Sequence, residues 1–123
     1  MFEDISLQEK MRIVQELVPG KQITIAHVIA NPDDILYKKL GLDPAIEYSK
    51  TAIGIVTMSP AETAIIAGDI AIKSSGVELG FVDRFSGTLI VTGSISDVMA
   101  SLQALVDYCH DTLGFTVCPI TKT

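Results

Sequence analysis

The stretch 94–114 constrains this chain most. Ile95, Val98, Met99, Leu102, Leu105, Val106, Cys109 and Leu113 recur at spacings of three and four, so they line one face of a helix about five turns long. Ser94 caps its start, Asp97 favours the positive end of the helix dipole, and Gly114 stops it. A helix with a single apolar stripe is stable only when another layer covers that stripe, so the rest of the chain must supply one.

Residues 52–58 read as a buried strand, β-branched and bounded by a helix start. Ser59, Pro60 and Glu62 form that start, with the serine capping and the glutamate at the reciprocal position of a capping box. Along the helix, Ala61, Ala64, Gly68 and Ala71 make a stripe of small residues that lets a neighbouring element of this or another subunit approach closely, and Gly76 closes it. Residues 77–84 form a strand that Ser86 and Gly87 turn back into residues 88–92. Upstream, residues 22–29 alternate, with Ile23, Ile25, His27 and Ile29 on one face and Gln22, Thr24, Ala26 and Val28 on the other. A short helix follows, with Asn31 as N-cap, Pro32 in its first turn, Asp33 and Asp34 at its positive end, Lys38 and Lys39 in its last turn and Gly41 beyond. The tail 115–120 is extended and apolar, and Pro119 argues against a central strand.

Counted from Ala52, the order is strand, helix, strand, strand, helix, one strand short of a split βαβ sandwich. The strand at 22–29 supplies the missing piece if the chain is circularly permuted. The expected class is therefore α+β, a ferredoxin-like sandwich with its closing strand and short helix moved to the front.

At 123 residues, one domain is expected, and a mean hydropathy of +0.42 leaves apolar surface that so small a body cannot bury alone. The longest apolar run, residues 63–72, is broken by Asp69 and falls well short of the ~20 residues of a spanning helix. Glu3 and Asp4 stand where a secretion signal needs positive charge, so a cytoplasmic protein is expected. The surplus surface is then covered by protein, most simply by copies of the same chain. A net charge of −6 argues against nucleic-acid binding. Cys109 and Cys118 lack the spacing of a zinc site and read as small buried side chains.

Three segments then carry a resemblance: Ala52-Ile-Gly-Ile-Val56, Gly68-Asp-Ile-Ala-Ile-Lys73 and Gly80-Phe-Val-Asp-Arg-Phe-Ser-Gly87. They resemble the shell-protein (BMC) domain of bacterial microcompartments. Ala26-His-Val-Ile-Ala-Asn-Pro32 is similar to the segment that closes the ordinary domain, here near the start. This matches the permuted subclass of propanediol, ethanolamine and choline utilisation compartments, and covers residues 18–123.

The resemblance implies a structural subunit forming cyclic hexamers that tile with one another and with other shell proteins, in a shell within the cytoplasm, with no cofactor, metal or catalysis. It places the loop Arg84, Phe85, Ser86 and Gly87 at the central axis and Lys73 at the hexamer edge. Asn31 stands where ordinary shell proteins carry an edge arginine, so a bidentate fork is missing there. Residues 1–20 form an amino-terminal extension before a permuted domain at 21–123. Within that extension the subclass implies a pore-capping barrel strand of Arg12, Ile13, Val14, Gln15, Glu16, Leu17 and Val18. The residues alone leave this open, because Leu7, Met11, Val14 and Val18 also fit one face of a helix ended by Pro19 and Gly20.

Other chemistry is weakly indicated. His27 stands alone on an apolar strand, without a nucleophile at a recognisable spacing, and reads as a satisfied core histidine. Asp107, His110 and Asp111 read as a solvated helix face rather than a metal cluster. Asp83 and Arg84 either line a pore or form an ordinary loop salt bridge. Gly54, Gly80 and Gly87 do not make a phosphate loop. The rival functions are a small-molecule-binding regulatory domain of the same fold class and a small enzyme using His27 or Cys118.

Overall fold

The computed structural model describes residues 20–42 and 51–123. Its elements run β1 (Gln22–Ile29), α1 (Asp34–Lys39), β2 (Ala52–Ser59), α2 (Thr63–Ser74), β3 (Glu78–Asp83), β4 (Thr88–Gly93), α3 (Ile95–Asp111) and β5 (Thr121–Lys122). They form one five-stranded sheet in the order β3-β4-β2-β1-β5. β1 pairs antiparallel with β2, β2 with β4 and β4 with β3. The strand that an unpermuted order would place last, β1, thus lies beside β2, the strand it would place first.

α3 is where its periodicity puts it. The Ser94 hydroxyl accepts the Asp97 N–H at 3.1 Å, and Val98, Leu102, Leu105 and Cys109 are completely buried. Each large apolar side chain removed from water in this way contributes about 1.5–3 kcal/mol. The stripe packs with α2 on one face of the sheet, against Val56, Leu89 and Val91. α1 covers part of the other face, where Tyr37 and Leu42 pack on Ile53 and Ile90. The permuted segment therefore contributes both a strand and a third layer.

Several local details depart from the sequence reading. Asp33, not Asn31, caps α1, accepting the Ile35 N–H at 3.1 Å, so Pro32 precedes the helix. Ser59 stays in β2, paired with Gln22, and the expected capping box does not form. Instead α2 opens through i→i+3 bonds from Thr63, Ala64 and Ile65. β1 does not alternate strictly, because a bulge between Ile23 and Ile25 switches its faces. Ile23, Ala26 and Val28 are buried in consequence, while Ile25 is half-exposed.

The small-residue stripe faces the chain's own sheet. A Cβ on Gly68 would lie 3.5 Å from Leu79 Cδ1 and 3.6 Å from Val82 Cγ2, an ordinary contact. Gly54 is the position with no room: a Cβ there would lie 2.8 Å from Val98 Cγ1, 2.9 Å from Leu102 Cδ1 and 3.0 Å from Val91 Cγ2. Urea denaturation of single variants separates the two glycines. Gly54→Ala should destabilise the chain by about 1–3 kcal/mol through overpacking, while Gly68→Ala should stabilise it by about 0.5–1 kcal/mol through helix propensity.

Candidate functional site

The turn between β3 and β4 is built by Asp83. Its carboxylate accepts the Phe85 N–H at 2.8 Å and the Ser86 hydroxyl at 2.9 Å. The Phe85 N–H first, and the Ser86 hydroxyl second, hold the carboxyl below its ordinary pKa. The Gly87 N–H closes the turn on Asp83 O at 2.9 Å. Gly87 has φ +76°, and a Cβ there would overlap Met58 O, so only glycine fits against β2. The Met58 N–H donates to Gly87 O at 2.9 Å, which fastens the turn to that strand.

Arg84 and Asp83 do not form the loop salt bridge. The Arg84 guanidinium lies over the Phe85 ring, 5.0 Å from its centroid, and Phe85 itself is 81% exposed. The loop thus presents a braced backbone, one cation and one apolar ring to its surroundings.

Lys73 stands on the last turn of α2, its side chain 73% exposed, paired with Asp69 at 2.9 Å one helical turn earlier. Asn31 is exposed in the bend after β1. No hydrogen bond or ion pair joins the two among the described residues, but they share one end of the sheet. Ile29 pairs with Ile53 and Ala52 with Gly93, while a Cβ on Gly93 would meet Gly76 O and Val77 Cα, just past α2, at 3.5 Å. The loop 84–87 lies at the opposite end with Gln22, which pairs with Ser59 next to Met58. The expected capping strand, residues 12–18, lies outside the described residues; the chain that precedes Gln22 joins the fold at the loop's end.

Among the described residues, part of the exposed apolar surface lies on α2 and the edge strand β3, and the rest, with Ile25, Ile35, Phe85, Ile95 and Tyr108, lies elsewhere. Ile65, Ile66 and Ile72 flank the Asp69–Lys73 pair, and Leu79 and Phe81 stand on β3; all five are roughly half-exposed. α2 packs against β3 through Gly68 and Leu79, so Leu79 adjoins the isoleucines, while Phe81 pairs with Ile90 on the face that carries α1.

The remaining candidates dissolve into structural contacts. His27 is half-buried, with its two ring nitrogens on the hydroxyls of Thr121 and Thr123. Burial raises the pKa of the Cys109 thiol, which leaves it a poor nucleophile, whereas Cys118, also expected to be buried, is only partly so. Asp107 accepts from Gln103 at 2.9 Å, and His110 pairs with Asp111, so the acidic residues of α3 serve separate neighbours. Among the described residues no three metal-ligating side chains come together. Two contributors escape the sequence reading. Ser101 is buried on the apolar stripe and donates to Ala71 O at 3.1 Å, tying α3 to α2. Asp83 as turn organiser is the other, and its signal is the spacing Asp-x-x-Ser-Gly, in which an aspartate caps its own turn.

The BMC domain family matches residues 52–121. The chain is 50% identical over 112 residues to the bacterial microcompartment shell protein PduU of Salmonella typhimurium, covering 91% of this chain and 93% of PduU. It is 48% identical over 115 residues to the shell protein EutS of Escherichia coli K12, covering 94% and 99%. Among solved structures it is similar, at 46% identity, to CutR in two forms. The flat hexamer gives a TM-score of 0.79 over 86% of this chain and 94% of CutR, and the screw of 41.9 Å pitch gives 0.77 over 85% and 100%. The regulatory-domain alternative gains nothing from these relatives. With its strand order, its glycine-braced loop and near-complete alignment to such proteins, the chain belongs to the BMC-domain family of bacterial microcompartment shell proteins.

Proposed function

We propose that this chain is a structural subunit that closes into hexameric rings and tiles with its own copies and other shell proteins into a microcompartment shell in the cytoplasm. In this reading its work is assembly rather than catalysis. The loop 84–87 surrounds the ring axis, Lys73 and Asn31 lie at the ring edge, and residues 1–20 extend from the domain at 21–123, with 12–18 capping the axis. One observation carries the reading: the braced loop and the start of β1 occupy one end of the sheet, and Lys73 and Asn31 the other. An axis and an outer edge require that separation. The adjoining apolar surfaces of α2 and β3 further support association, since patches of this kind mark protein contacts.

Native mass spectrometry at micromolar concentration should give a hexamer, and negative-stain images should contain sheets, tubes or other extended arrays. A monomer in both would refute the reading. Lys73→Ala should leave rings intact while reducing the arrays, because only the Asp69 pair and the edge charge are lost; arrays equal to the native ones would move the tiling contact elsewhere. Deletion of residues 1–18 should preserve the ring. In the intact assembly the amides of 12–18 should resist hydrogen exchange, and exchange at the rate of an unstructured peptide would exclude a cap.

A further inference from the structure

The outward surface of α2 carries one acid and one base, Asp69 and Lys73, among side chains that are mostly apolar, with Ile65, Ile66 and Ile72 each about half-exposed. The whole chain has a net charge of −6, so this surface is neutral on an otherwise acidic molecule. Lys73 Nζ lies 2.9 Å from Asp69 Oδ2, and the two side chains are 73% and 57% exposed. A pair so open to water adds little to the stability of the fold. An ammonium has three donors and a carboxylate about four acceptor sites, so each group has capacity for a second partner.

Symmetry indicates what that partner is. In a layer of identical six-fold rings lying the same way up, the midpoint between two neighbours is a two-fold axis. An edge residue there faces an identical edge, and if residue i contacts residue j, then j contacts i. Two Lys73 ammoniums brought together in this way repel unless an anion stands between them. Asp69 lies one helical turn before Lys73, about 5.4 Å along the axis of α2 and on the same face. Two copies of α2 running antiparallel across the two-fold axis therefore bring each ammonium to the other's carboxylate.

We infer that Asp69 and Lys73 form a self-complementary clasp between neighbouring rings. Each Lys73 keeps its own Asp69 and takes Asp69 of the facing copy, which sets four charges of alternating sign around the two-fold axis. The inference rests on the edge placement of Lys73 proposed above and goes further by making an acid, Asp69, a determinant of tiling. Ile72, half-exposed next to Lys73, gives the charges an apolar neighbour that keeps water from them once two edges meet. The clasp also selects one register, because acidic copies repel in any arrangement that brings no opposite charges together.

The test compares Asp69→Lys, Lys73→Asp and the double exchange Asp69→Lys/Lys73→Asp. Rings are read by native mass spectrometry, and arrays by pelleting over a concentration series with negative-stain imaging. Each single variant places four like charges at the contact and should raise the concentration at which arrays form at least about tenfold. The double exchange restores the alternation and should return that concentration to within about threefold of the native value. Asp69→Asn keeps the shape of the side chain and leaves Lys73 facing its copy, so it should raise the concentration as well. Single variants or Asp69→Asn with native arrays, or a double exchange no better than the weaker single variant, overturn the clasp. A native chain that forms no hexamer refutes the ring itself, whereas hexamers and arrays indifferent to these charges refute the clasp alone.

Discussion

α3 lies so close to β2 that Gly54 has no room for a methyl group: Val98, Leu102 and Val91 already occupy the space. This contact makes β2 the centre of the molecule. A strand pressed against a helix on one face and carrying Ile53 into the α1 layer on the other must have partners along both sides, because its buried amides and carbonyls have no water to turn to. β4 supplies one side and β1 the other. The two ends of β2 then determine what lies at each end of the sheet. Near Met58 sits the loop braced by Gly87, and near Ala52 sit Asn31 and the last turn of α2.

The edges of the sheet receive opposite treatment. β1 is covered by the chain after α3, whose exposed, threonine-rich end offers little to a neighbouring sheet. Among the described residues no strand pairs with the outer side of β3, where Leu79 is half-exposed beside the isoleucines of α2 and Phe81 is half-exposed on the face that carries α1. In a small chain of high hydropathy, the surface that is left apolar is the informative one. Here part of it runs from the isoleucines of α2 to Leu79 on the edge strand, which suits a contact with a second protein, while Phe81 stands on the opposite face of that strand with Ile90.

The sequence made the long helix and the strands β1 to β4 legible because each rests on a strong local signal, such as spacings of three and four in α3, a β-branched run in β2 and the Ser-Gly turn at 86–87, and the permutation followed from their order, whereas the short β5 was not foreseen. What escaped depended on tertiary contacts. The bulge at Thr24 reverses the burial of β1, and no alternating pattern announces it, since Ile25 and Ala26 are both acceptable strand residues. Gly68 and Gly54 look alike in sequence, yet only the second lies under a helix. His27 was legible as a satisfied histidine, but its partners are 94 and 96 residues away, beyond the reach of any local motif.

The geometry also explains what permutation changes. The end of α3 lies beside the start of β1: Lys21 Nζ donates to Leu113 O at 3.2 Å, and the Thr116 N–H donates to Lys21 O at 3.0 Å. An unpermuted chain could pass from Gly114 into β1 with almost no connection, and the strand order β3-β4-β2-β1 would be unaltered. Its beginning, however, would stand before Ala52, at the end occupied by Asn31 and Lys73. Cutting the chain between α3 and β1 instead moves the beginning to the other end of the sheet, beside the loop braced by Asp83 and Gly87. The same cut releases the residues after α3 to run along β1 rather than to become it. One change in connectivity thus brings the start of the described chain, at Gly20, to the loop's end of the sheet and lays the residues after α3 along the sheet edge, where Phe115 joins the core.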